Sequence, residues 1–214
     1  TIMKGTWKIR VIKVSEVPVT YGGKALHNVM NCLPAVLSTY FWRDIEIEDI
    51  KLALQTFVPS SAQTPGRLNM FQFKHFQFLV DFAHNPAGLE LLCDFISKLD
   101  GEPKVGIISG TGDRRDEDIK ELGRISGRSF DEIIIRQDKN LRGRTAEEIV
   151  NLLVEGINET KTKDIPIEII YNEKEAIMHA YNNAKPGSLI TIMCDVVAEA
   201  LDLIKGLKEK EDAE

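Results

Sequence analysis

The chain has 214 residues, with 27 lysines and arginines against 33 aspartates and glutamates, for a formal charge of −6. With 43% hydrophobic and 28% charged residues, the composition is that of a globular protein, which excludes disorder along the whole chain. The acidic balance excludes a dedicated nucleic-acid binder, and no apolar run approaches the ~18 residues a bilayer helix needs.

The start TIMKGTWKIR has neither the apolar core nor the cleavage site of a signal peptide, and with Thr1 in first place it reads as the interior of a longer polypeptide. TWKIRVIKV alternates weakly and predicts one strand, and Gly22 and Gly23 a turn. His27 to Phe41 and Ile45 to Phe57 predict two helices. Pro34 lies inside the first, where it costs about 3 kcal/mol, so a kink or a late start is expected. VPSSAQTPG, 58–66, reads as a linker and divides the chain into 1–62 and 63–214.

Beyond Arg67 the pattern is regular. LNMFQF and HFQFLVDF predict a hairpin, with Phe76, Phe78, Val80 and Phe82 on one face. A helix follows with Asn85 as its cap and Pro86 in its first turn. KVGIIS, FDEIIIR, IEIIY and SLITIMC read as further strands separated by helices, one opening with a Thr145–Glu148 capping box. The tail KGLKEKEDAE is expected to fray. This alternation predicts an α/β fold: a mostly parallel sheet with an antiparallel first strand and helices on both faces. Ligands of such sheets bind beyond the carboxyl ends of the strands, which selects the loops after Val80, Ser109 and Ile135.

The first loop holds Asp81, His84 and Asn85. Asp81 is able to accept two vicinal hydroxyls, and the helix start near Pro86 favours an anion; the plainer alternative is a solvated strand end and a helix cap. The second, Gly110–Asp116, lacks the third glycine of GxGxxG, but its glycines permit close approach and Arg114 and Arg115 fork onto anions; a tight turn, with Asp116 as a helix cap and Arg114 paired to a local acid, is the alternative. The third, 137–144, carries Arg142 and Arg144 and favours an anionic small molecule if it is not simply solvated. Cys32, Cys93 and Cys194 form no CxxC, and the histidines lack metal-ligand spacing; reduced thiols in a cytoplasmic protein and no metal site are expected.

LHNVMNCLPAV, TPGRLN, VDFAHNPAGLELL, GTGDRRDEDIKELGR and DKNLRGR, in that order, resemble the Mur ligase family, which includes the muramyl-peptide ligases and folylpolyglutamate synthase. The set most resembles the branch that joins arginine to aspartate side chains in a polymer. The resemblance implies the tail of the family's central ATPase domain, a small α+β remnant, followed by its Rossmann-like C-terminal domain. It implies ATP as cofactor, an acyl phosphate, and attack by an amino-acid amine. It places Asn28, Asn31, Arg67, Asp81, His84 and Asn85 at the nucleotide. Gly112, Asp113, Arg114, Arg115, Asp116, Arg142 and Arg144 fall at the amino-acid or polymer substrate. Asn69, where the family has glutamate, Phe82, where it often has tyrosine, and Pro34 are departures. The glycine-lysine phosphate loop and the magnesium ligands of the central domain do not occur in this sequence. The chain alone is therefore expected not to turn over ATP, and its partners to include the rest of its own polypeptide. A non-catalytic nucleotide- or anion-binding module, or a ligase with another substrate, is the alternative, and a homo-oligomer is open.

Overall fold

The computed structural model describes residues 1–42 and 45–213, which form two units, Thr1–Pro59 and Ser60–Glu214. In the first unit β1 (Ile2–Lys4) and β2 (Trp7–Ile9) pair antiparallel around Gly5 at φ +60°. The strand predicted through Val14 stops at Ile9 because β1 offers only three residues to pair with. Gly22 and Gly23 turn the chain at φ +69° and +94°, a region that costs glycine little.

Helix α1 (Leu26–Phe41) starts before Pro34 and runs through it, so the late start predicted is not found. Helix α2 (Ile47–Thr56) is opened by a reciprocal cap between Glu46 and Asp49. The unit's core is small: Ile2, Val11 and Ile50, flanked by half-buried side chains such as Val36 and Leu54.

The second unit is a six-stranded sheet. Strand β3 (Asn69–Gln72) pairs antiparallel with β4 (Gln77–Asp81), as the hairpin pattern predicts. Helix α3 (Pro86–Ser97) follows, with Asn85 Oδ1 accepting the Gly88 amide at 2.8 Å. The alternation continues as β5 (Lys104–Ile108), α4 (Asp116–Ser129), β6 (Glu132–Ile135), α5 (Ala146–Thr160), β7 (Ile167–Ile169), α6 (Glu173–Asn182), β8 (Leu189–Met193) and α7 (Val197–Ala213). The strand order is β3-β4-β8-β5-β6-β7, and every pair after the first is parallel.

Alternation along the strands feeds two cores. Phe78, Val80, Ile107, Ile190 and Ile192 pack against Ala176, Ile177, Ile204 and Leu207 of α6 and α7. The opposite face meets α3, α4 and α5, whose buried sides are Leu89, Leu92, Ile119, Leu122, Leu153 and Ile157. The tail predicted to fray is helical through Ala213, because Lys208 pairs with Glu211 and Asp212 while Glu211 accepts the Lys74 amide at 3.0 Å; its last residue, Glu214, lies outside the described residues.

The order also decides where a site forms. The last strand in sequence, β8, is inserted between β4 and β5, so the order in which the parallel strands are connected turns back at the centre of the sheet. A crevice opens at such a reversal, at the carboxyl ends of the strands.

Candidate functional site

The segment before β3 is pinned against the loop after β4. Asp81 Oδ2 accepts the Leu68 amide at 2.9 Å, and the Phe82 amide donates to Gly66 O at 3.0 Å. Gly66 sits at φ +69°, and a Cβ there would come within 2.7 Å of Val197, so glycine is the residue that fits. Asn69 completes the turn by accepting the Gly66 amide at 2.7 Å and donating to Thr64 O at 2.9 Å. A row of planar groups results: the Arg67 guanidinium lies 5.9 Å from the Phe82 ring centroid, and Phe82 lies 4.9 Å from the His84 ring.

The loops after β5 and β6 are zipped together. Arg144 Nε donates to Gly112 O at 2.9 Å and its Nη2 to Arg114 O at 2.8 Å. Arg142 Nη1 bonds Asp113 Oδ2 at 2.7 Å, and this guanidinium holds the Asp113 carboxyl below the usual carboxylate range. A Cβ on Gly112 would stand 2.0 Å from Leu141 O, so the two loops approach backbone to backbone.

Between these loops lies a cleft of about 140 Å3 at the carboxyl ends of β4, β5, β6 and β8, with His84, Arg114, Arg142, Asp138 and Asp195 in its walls. Three of the predicted residues, His84, Arg114 and Arg142, line it together. Other predicted residues do not. Arg144 is consumed by carbonyls and by Asp116 at 2.6 Å. Arg115 faces Asp118 in a two-bonded fork at 2.9 and 2.7 Å. Asn85 serves as the α3 cap. Asp81 is buried behind the cleft with one oxygen committed to Leu68. Asp116 is the first residue of α4, which has no side-chain cap, and Arg114 makes no ion pair among the described residues. Asn28 and Asn31 belong to the first unit, where they line an apolar groove between α1 and α2 and Asn28 Nδ2 donates to Val19 O at 2.8 Å.

Sequence reading missed Arg136, Asp138, Ser109 and the loop after β8. Arg136 looks like the polar end of a strand, and nothing local marks β8 as central. Its wall of the cleft is Cys194 and Asp195, with Cys194 N donating to Asp81 O at 2.9 Å. Burial pushes the Cys194 thiol up to about 12 and the Cys93 thiol up to about 11. Both should therefore resist an aromatic disulfide reagent at pH 8, leaving half-buried Cys32 to react first. Thiol counting should give one reactive group in the native chain and three in denaturant; two or three fast thiols in the native state would contradict the burial.

Among the described residues no helix is long and apolar enough to cross a membrane, and no cluster of histidine, cysteine and acidic side chains suits a metal. The family model described as "Mur ligase, glutamate ligase domain" matches residues 66–195. Cyanophycin synthetase of Synechocystis sp. is 36% identical over 97% of this chain and 24% of its own length. That of Crocosphaera subtropica is 38% identical over 95% and 23%. The chain thus spans about a quarter of the curated relatives it matches. In structure it resembles bifunctional folylpolyglutamate synthase/dihydrofolate synthase of Yersinia pestis (TM-score 0.63, 18% identity, 96% of this chain, 43% of that one). It also resembles E. coli FolC in complex with ADP (0.61, 18%, 82% and 38%). At these identities the likeness concerns the fold.

Proposed function

The chain belongs to the Mur ligase family, and from that premise we propose that it is the C-terminal part of a cytoplasmic ATP-dependent amide ligase, of the kind that builds cyanophycin by adding arginine to an aspartate side chain. The observation that carries this reading is the cationic cleft where the strand order turns back: His84, Arg114 and Arg142 converge there, beside the row Arg67–Phe82–His84. Planar groups next to guanidinium groups suit a nucleotide, with a base or sugar on the rings and phosphate oxygens on the forks. Asp81 contributes through the loop it anchors.

In this reading the chain closes over ATP and presents the amine, while the phosphate loop and magnesium ligands of a preceding central domain neutralise the transferring phosphoryl group. Water exclusion by that closure protects the acyl phosphate. The first unit would then be the end of the central domain. Its α1 leaves Met30, Leu33, Leu37 and Phe41 exposed, a stripe at helical spacing that suits a covering layer.

The pure chain is expected to bind ADP weakly, with amide shifts in a labelled sample centred on Phe82–Asn85, and to hydrolyse no ATP above background. Hydrolysis well above background, or ADP shifts centred elsewhere, would remove this reading.

A further inference from the structure

Arg67 stands between two residues in the left-handed backbone region, Gly66 at φ +69° and Leu68 at φ +50°. Glycine enters that region freely, whereas leucine does so only where its surroundings impose it. The groups that impose it here are two buried side chains on paired strands. Asn69, 4% exposed at the start of β3, accepts the Gly66 amide through Oδ1 at 2.7 Å. Asp81, at the end of β4, accepts the Leu68 amide at 2.9 Å. Asn69 lies opposite Val80 in the hairpin register, so the two clamps are neighbours.

Asn69 works in both directions. Its Nδ2 donates to Thr64 O at 2.9 Å and to Arg67 O at 3.4 Å. Arg67 N donates to the same Thr64 O at 3.1 Å, and Phe82 N donates to Gly66 O at 3.0 Å. The amides of Gly66, Arg67 and Leu68 and the carbonyls of Gly66 and Arg67 are therefore all tied. A carboxylate at position 69, which the family resemblance leads one to expect, accepts the Gly66 amide but has no proton for Thr64 O. The side-chain amide is what closes this turn from both ends.

What the turn presents is the Arg67 side chain. It is exposed, makes no ion pair among the described residues, and holds its guanidinium 5.9 Å from the Phe82 ring centroid. Phe82 lies in turn against His84, in the wall of the cationic cleft. An arginine fork on a fixed backbone, with its donors uncommitted to any acid, suits phosphate oxygens.

We propose that Asn69 is a positioning residue: by accepting the Gly66 amide and donating to Thr64 O, it holds Arg67 beside Phe82 and aims its guanidinium at the phosphates of a bound nucleotide. This rests on the ligase reading and adds to it the group that fixes the aim. Asn69 itself is buried and acts through Arg67.

The test is a double-mutant cycle, titrating ADP into the isotope-labelled chain and following the amides of Phe82–Asn85. Arg67→Ala should weaken ADP about ten-fold, and Asn69→Ala about five-fold. In the Arg67→Ala background, Asn69→Ala should add less than about two-fold, because the group it aims is gone. A merely structural Asn69 would weaken ADP equally in both backgrounds, and that result overturns the proposal. So does a folded Asn69→Ala chain that binds as wild type, or an Arg67→Ala chain that does. If Asn69→Ala does not fold, Asn69→Asp decides in the same cycle, since it keeps the acceptor for Gly66 and loses the donor to Thr64 O. A wild-type chain without ADP shifts at these amides strikes the ligase reading itself, and this proposal with it.

Discussion

Gly156→Ala is expected to destabilise the second unit by about 2–3 kcal/mol, although alanine is the better helix former. A Cβ on Gly156 would stand 2.0 Å from Lys120 O and 2.9 Å from Arg124 N, both backbone atoms of α4. Across the same contact, a Cβ on Gly123 would stand 2.2 Å from Leu153 O. Two helix backbones touch here, and neither has a rotamer to move aside. Overpacking typically costs about 1–3 kcal/mol and occasionally more, and a clash between two backbones belongs at or above the upper end. The gain in helix propensity, about 1 kcal/mol, offsets only part of it. Gly206 is the control. It sits in α7 with nothing within 4 Å of its would-be Cβ, so Gly206→Ala should stabilise by up to about 1 kcal/mol. The double variant Gly123→Ala/Gly156→Ala should lose less than the sum, because one separation of α4 from α5 relieves both clashes. Urea midpoints of these variants and of Gly123→Ala read the effects; a Gly156→Ala midpoint at or above wild type would refute the close approach.

Asp81→Ala is expected to weaken ADP binding by about 10-fold or more, roughly the 1–3 kcal/mol that a lost buried hydrogen bond costs the loop it anchors. The side chain acts through that loop. Its Oδ2 holds the Leu68 amide, and Leu68 lies at φ +50°, a conformation leucine adopts only when its surroundings impose it. Alanine therefore frees the segment carrying Arg67 and leaves a buried N–H without an acceptor, which costs about 1–3 kcal/mol of stability. Asp81→Asn tests this. It keeps a carbonyl oxygen for Leu68, so stability and ADP affinity should largely return together. Calorimetric titration with ADP, run beside thermal unfolding, reads both. Unchanged affinity in a stable Asp81→Ala chain would remove Asp81 from the site.

Much of this molecule is set by chemistry that acts over a few residues. The Asn85 and Thr145 caps, the first-turn Pro86, the Gly22–Gly23 turn and the alternating Phe76–Phe82 strand follow from hydrogen-bonding capacity, φ preference and side-chain period, and each is found where the sequence predicts it. Local pattern failed where a partner decides. β2 is short because β1 is short, α1 passes through Pro34 against its propensity, and the charged tail is helical because Glu211 reaches Lys74.

The site divides along the same line. Composition and strand alternation determined an α/β sheet, and the loops after Val80, Ser109 and Ile135 gave it an arginine-bearing rim. Which arginines face that rim was decided only by the tertiary structure. Arg142 and Arg114 line the cleft, Arg144 and Arg115 are spent on neighbouring loops and helices, and Arg136 lies buried beneath. The reason is that β8, last in sequence, enters the middle of the sheet. Its Met193 carbonyl and Asp195 meet residues some sixty positions earlier, and no short-range rule of period or propensity carries information across that separation.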